Sequence, residues 1–343
     1  MRRLLNTLYV TNSDYYLARD GENLLVLNND EVKVRVPAVQ LEQVVCFNYT
    51  GASPAAMKLC VDNNIAISFL SVHGRFLARV TGPVKGNIHL RSKQFKVASD
   101  EQQCVPIAIG VVAGKLGNCR QVLMRAIRDH RDKIDSDEVN MAIQQLHRGC
   151  SQLLAAEDLN TIRGVEGAAA SAYFNALDHL ILEDKPNFRM TTRSRRPPLD
   201  RVNALLSFIY MLLMADVTSA LEAVGLDPAV GFLHRMRSGR NSLALDLMEE
   251  LRPYLADRLM LNLINRRQVL AKDFEIKETG AVLIKDDARK EILNAWQKRK
   301  QEVITHPYLG ERVEVGLLAH TQSLLLARFL RGDIDGYPPF LWK

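Results

Sequence analysis

Three short stretches of the chain hold residue types that can carry chemistry. The first is Arg163-Gly164-Val165-Glu166-Gly167, a carboxylate with glycines on both sides. Glycine has no Cβ, so backbone or ligand can come close to such a glutamate. A glutamate in the first turn of a helix, complementing the helix dipole, would look the same. The second is Gly231-Phe232-Leu233-His234, followed by Arg235, Arg237 and Arg240. A histidine behind two large apolar residues is either a hydrogen-bonded core residue or a metal ligand. The third is Asp246-Leu247-Met248-Glu249-Glu250. Helical spacing puts Asp246 on the same side as Glu249 and Glu250, where like charges repel by roughly a few tenths of a kcal/mol unless a cation sits between them. A solvated acidic face is the ordinary explanation, but Leu243, Leu245, Leu247 and Met248 require part of this helix to be buried.

Glutamate, histidine and a carboxylate pair are oxygen and nitrogen donors suited to Mg²⁺ or Mn²⁺. Such an ion polarises a phosphodiester and activates an attacking hydroxyl. Spacing alone does not bring Glu166 to His234. The residues therefore reach as far as a metal-dependent phosphoryl-transfer site, with a surface of ordinary helix pairs as the alternative. No Walker A sequence is present, so nucleotide hydrolysis has no phosphate loop here.

The elements that must position these residues fall into two groups by period. Over the first ~90 residues, short β-type runs (8–10, 16–19, 23–27, 32–36, 65–70 and 75–80) are separated by turn chemistry at Asn12-Ser13-Asp14, Asp20-Gly21, Asn28-Asn29-Asp30 and His73-Gly74. Residues 32–36 alternate strictly, which predicts one wet and one packed face. Pro54 opens a helix inserted among the strands. From Ser99 the period is helical, with predicted helices over 105–132, 136–155, 165–182, 199–224, 242–265 and 317–330. The fold class is therefore α+β and multidomain: a small β-sandwich-like domain at 1–90, a hinge at 91–100, and a large all-α domain at 101–343 carrying the chemistry. Ala204–Ala215 is nearly all apolar but shorter than the ~20 residues a bilayer requires, and reads as a buried helix.

Composition agrees. The 343 residues are 47% hydrophobic and 24% charged, ordinary for a globular protein, with a net charge of +6 that hints mildly at an anionic partner. That charge is unevenly spread: residues 187–201 hold Arg189, Arg193, Arg195, Arg196 and Arg201 against Asp200 alone. The five cysteines are scattered and never spaced as Cys-x-x-Cys, which argues for a reducing, cytoplasmic setting and against a zinc knuckle. No signal peptide follows Met1-Arg2-Arg3. Lys298-Arg299-Lys300 reads as a solvated helix face.

Arg163-Gly164-x-Glu166-Gly167, Arg196-Pro197-Pro198-x-Asp200-x-Val202-Asn203-Ala204-Leu205-Leu206-Ser207, Gly231-Phe232-Leu233-His234 and Ser242-Leu243-Ala244-Leu245-Asp246-Leu247-Met248-Glu249 follow one another in this order. In that order and at those separations they resemble the CRISPR-associated integrase, the universal first Cas protein of spacer acquisition. The resemblance covers nearly the whole chain, and the opening Arg3–Val10 is most similar to members from type I-C systems. It implies that Glu166, His234 and Glu249 are catalytic and ligate the metal, with Asp246 as a supporting acid. It implies a homodimer formed through the β domain, two such dimers flanking a dimer of the small second adaptation protein in a heterohexamer, and no membrane. The implied role is antiviral defence, in which a prespacer 3′-hydroxyl attacks a phosphodiester of the CRISPR repeat in double-stranded DNA. With the resemblance, Arg189, Arg193, Arg195, Arg196, Arg237 and Arg240 are expected to contact DNA phosphates. A branched-DNA repair nuclease using the same site, and a DNA-binding scaffold without catalysis, are the alternatives.

Overall fold

The computed structural model describes residues 7–12, 14–41, 43–47, 50–71, 76–83, 88–194 and 196–342. Arg3–Asn6, Ser13, the turn at His73-Gly74, the start of a strand at Arg75, and Arg195 lie outside the described residues. The chain divides into two units, 1–85 and 86–343. The division falls ahead of the expected 90/91 boundary, and no hinge spans 91–100: residues 88–98 are helical and pack within the second unit.

The first unit runs β1 (Thr7–Val10), β2 (Tyr15–Asp20), β3 (Asn23–Asn28), β4 (Glu31–Pro37), β5 (Gln43–Phe47), β6 (Gly51–Ala52), α1 (Pro54–Asp62), β7 (Ala66–Leu70) and β8 (Phe76–Val80). Two four-stranded sheets form, ordered β1-β5-β7-β8 and β4-β3-β2-β6. Val44, Cys46 and Ile67 of one sheet share a core with Leu17, Leu24 and Val26 of the other, and with Ala56 and Leu59 of α1. The sandwich-like β domain expected from the turn spacing is present. The Ser53 hydroxyl accepts the Ala56 N–H at 3.1 Å, and Pro54 supplies the first helical position of α1. Strand β4 departs from its alternating pattern. It is an edge strand exposed over most of its length on both faces, with Val32 and Val34 open to solvent.

The second unit is largely helical: α2 (Ile88–Ala98), α3 (Glu101–His130), α4 (Ser136–Leu154), α5 (Leu159–His179), α6 (Arg201–Val224), α7 (Ser242–Arg252), α8 (Arg258–Asn265), α9 (Asp286–Gln301) and α10 (Leu318–Arg331). It is not wholly α. Two short hairpins, β9 (Phe274–Ile276) with β10 (Val282–Ile284) and β11 (Val303–Thr305) with β12 (Arg312–Glu314), interrupt its last third. Aspartate caps start four of the helices: Asp100, Asp135, Asp158 and Asp200 each accept a backbone N–H from the first turn. Helix α6 is long and apolar enough to cross a bilayer by length and composition, but 61% of its most apolar window is buried within the unit, as in a core helix. The expected solvated face at 298–300 holds for Lys298 alone, which is exposed. Lys300 pairs with Asp216 at 2.8 Å, and Arg299 lies buried over the Tyr254 ring at 4.6 Å. All five cysteines are free thiols.

Helices α3, α5 and α7 bring the three chemical stretches together. Close approach of α3 to α7 depends on Gly114, where a Cβ would stand 2.9 Å from the Glu250 Cβ and 2.9 Å from the Pro339 Cβ. Any side chain at 114 would force these helices apart.

Candidate active site

Glu166 is not in a first helical turn. Helix α5 starts at Leu159 behind its Asp158 cap, so Glu166 lies well inside it, flanked by Gly164 and Gly167 with open space beside both. Asp246, Glu249 and Glu250 do not form a solvated acidic face either. All three are buried, at 1%, 2% and 0% exposure. Burying carboxylates is costly unless every oxygen is matched, and here each has its own solution.

Asp246 organises the segment ahead of it. Its Oδ2 accepts the backbone N–H groups of Phe232 (2.6 Å) and Leu233 (3.0 Å), and its Oδ1 accepts the His234 N–H at 2.9 Å. The same Oδ1 accepts from His234 Nδ1 at 2.6 Å. A carboxylate in this position puts the proton on Nδ1, which leaves Nε2 as the free lone pair of the imidazole. Nε2 faces Glu249, 3.9 Å from its Oε1. Arg163 pins the segment from the other side, donating from Nε to the Leu233 carbonyl at 2.8 Å.

Glu249 is held by two cations. Arg252 pairs with its Oε1, and the Lys115 ammonium lies 2.6 Å from its Oε2. Lys115 also pairs with Glu166, so one ammonium on α3 bridges carboxylates on α5 and α7. Burial alone would raise Glu249, but Arg252 and Lys115 bring it down to about 2. Burial likewise works against the Lys115 ammonium, and Glu249 and Glu166 outweigh it, holding the amine above its usual value. Glu250 faces away from this cluster. It accepts from Gln322 Nε2 (3.1 Å), the Phe340 N–H (2.6 Å) and the Tyr337 hydroxyl, and burial pushes it up to about 7.

Among the described residues, no three His, Cys, Asp or Glu side chains are drawn close enough to hold an ion, and Lys115 pairs with both Glu166 and Glu249. The donor chemistry nonetheless fits a hard divalent cation. Glu249 Oε2 is buried with the Lys115 ion pair at 2.6 Å but no hydrogen-bond partner of good geometry, and His234 Nε2 lies 3.9 Å from Oε1 of the same carboxylate.

The expected DNA-contacting arginines divide. Arg189, Arg196 and Arg237 are exposed, and Arg240 is half-buried. Arg193 is turned inward, donating to Asn203 Oδ1 at 2.6 Å and to the Ser194 carbonyl at 2.7 Å, with its guanidinium 5.4 Å above the Tyr210 ring. Lys115 carries no local sequence signal for a site, since it gains its role only where α3 meets α5 and α7, and the sequence does not set Arg252, one helical turn from Glu249 on α7, apart from the other charges of that helix.

The family described as CRISPR associated protein Cas1 matches residues 8–298. The chain belongs to this family. It is 52% identical over 344 residues to a CRISPR-associated endonuclease Cas1 of Chlorobaculum tepidum, with 100% of both chains covered. A second such protein, from Rhodospirillum rubrum, is 49% identical over 348 residues, again with 100% of both covered. Among solved structures, a CAS1 protein from Thermotoga maritima superposes with a TM-score of 0.82 at 23% identity, covering 98% of this chain and 100% of that one. A casposase bound to an integration product gives 0.84 at 21% identity over 98% and 94%. These two show that the Cas1 fold described above is shared beyond close relatives.

Proposed function

We propose that this chain is a metal-dependent DNA integrase and endonuclease that inserts short foreign DNA into a CRISPR repeat array. The observation that carries the reading is that one Lys115 ammonium draws Glu166 and Glu249 together, with the Nε2 of an imidazole fixed by Asp246 lying 3.9 Å from Glu249. Residues from three separate segments converge there, and family membership supports the reading. Glu166, His234 and Glu249 would hold Mg²⁺ or Mn²⁺, which when bound neutralises charge at a phosphodiester and raises the acidity of an attacking hydroxyl. Asp246 holds the imidazole through Nδ1, so Nε2 is the ligand atom turned toward Glu249. Arg252 holds Glu249 in place, and Arg163 keeps the His234 segment against α5. Exchange of one phosphodiester for another by a prespacer 3′-hydroxyl requires no ATP, in keeping with the missing Walker A sequence.

Exposed Arg189, Arg196 and Arg237, together with Arg240, are the groups proposed to meet phosphates, and Arg193 positions its loop instead. The homodimer, and its heterohexamer with a small second adaptation protein, follow from the family resemblance. Solved relatives include a Cas6-RT-Cas1–Cas2 complex. The open edge of β4 with exposed Val32 and Val34 is a surface that pairing would cover. The type I-C assignment rests on the Arg3–Val10 segment.

Alanine at Glu166, His234 or Glu249 is expected to abolish strand transfer into a repeat-bearing plasmid with Mn²⁺ present, while duplex DNA binding persists. Strand transfer that survives all three substitutions would refute the assignment.

A further inference from the structure

We infer that Lys115 is a resident counter-ion: it holds the two site carboxylates together without metal, and it has to withdraw before a cation can sit between them. This rests on the reading of Glu166, His234 and Glu249 as ligands. The Lys115 side chain is 8% exposed and reaches from α3 to both Glu166 on α5 and Glu249 on α7. Gly114, by letting α3 approach α7, brings its neighbouring lysine within reach. Without a cation, two carboxylates facing one another across three packed helices would repel, and one of them is buried. The ammonium removes that repulsion and keeps the site assembled. It also lies 2.6 Å from Glu249 Oε2, inside the space an ion bound to that oxygen and to Glu166 would need. Two cations cannot share it. Metal affinity is therefore the intrinsic affinity of the three ligands reduced by the displacement of Lys115, and the metal-free protein is folded with its carboxylates already placed.

Competition sets this role apart from a structural one. Losing a merely structural lysine would weaken or leave unchanged the binding of an ion, whereas losing a competing one strengthens it. In Mn²⁺ titrations followed by electron paramagnetic resonance, Lys115→Met is expected to tighten binding by about tenfold or more. It is also expected to melt earlier than wild type in EDTA and to gain more from added Mn²⁺. Should that variant not fold, the wild-type chain gives the same answer by amine-labelling mass spectrometry, where Mn²⁺ is expected to raise labelling of Lys115 selectively. Unchanged or weaker Mn²⁺ affinity in Lys115→Met, or Lys115 labelling indifferent to Mn²⁺, overturns the inference. His234→Ala separates the two levels. If it abolishes Mn²⁺ binding while Lys115→Met leaves affinity unchanged, the site stands and the counter-ion role falls. Binding indifferent to His234→Ala overturns the site reading and the inference with it.

Discussion

Asp246 commits all its acceptor positions to one short segment, with two donors on each oxygen. A carboxylate so occupied has no lone pair left for an ion, so in the function proposed above its part is to hold His234 rather than to ligate. Asparagine at 246 has the same shape but only one acceptor oxygen. Asp246→Asn is expected to reduce Mn²⁺ affinity or strand transfer about 10–100-fold, as for other groups that orient a metal-bound histidine. Parallel Mn²⁺ and strand-transfer titrations check this, and wild-type values in both would show that the imidazole needs no such orientation. At this scale the sequence was informative where spacing encodes geometry. Asp246 and Glu249, three apart, do share a helix face. It was silent on Lys115, whose role exists only once α3, α5 and α7 have packed.

The loop between α6 and α7 shows what the elements must supply. A Cβ at Gly231 would meet Asp246 Oδ2 and the Ser242 carbonyl carbon, both at 2.8 Å. The loop can close over Asp246 only with glycine there. Gly231→Ala is expected to destabilise the second unit by about 1–3 kcal/mol, as overpacking does, read as a lower midpoint in urea unfolding. An unchanged midpoint would mean the loop has slack. Helices were legible from their period because one face of each is buried. The helix read as continuous over 242–265 is helical throughout, but Pro253 lacks the N–H for the next turn and residues 253–257 widen into a π turn. Strand β5 carries no alternation. As an interior strand with parallel neighbours on both sides it is buried throughout, and its Val44-Val45-Cys46-Phe47 run has the look of any apolar stretch. Strand β4 fails in the opposite way, alternating in sequence while lying open at an edge.

Over the whole molecule, a mild net charge conceals buried acids that respond to pH in opposite senses. Asp257 accepts from Tyr210 (2.6 Å) and Tyr173 (3.0 Å), and burial pushes it up to about 6. Its folded value lies above the unfolded one near 3.9, so the folded state binds the proton more tightly. The stability it contributes is complete below about pH 4 and lost as pH rises through about 6. Glu249, held down to about 2, contributes above about pH 4.3 and loses its share only in stronger acid. Asp257→Asn is therefore expected to flatten the fall in melting temperature between about pH 4 and 7. A wild-type slope in that variant would assign the fall to other groups.

Glu250, next to Glu249, is satisfied by Tyr337 and Phe340, and Asn118 of α3 donates to the Glu250 and Phe340 carbonyls at 2.7 and 2.8 Å while accepting the Trp342 N–H at 2.8 Å. Of the proposed ligands, Glu249 thus stands on a helix whose seat is completed by the residues around Tyr337, Phe340 and Trp342. Without residues 337–342 the buried Glu250 carboxylate would lose the Tyr337 and Phe340 donors, and α7 would lose part of its seat against α3.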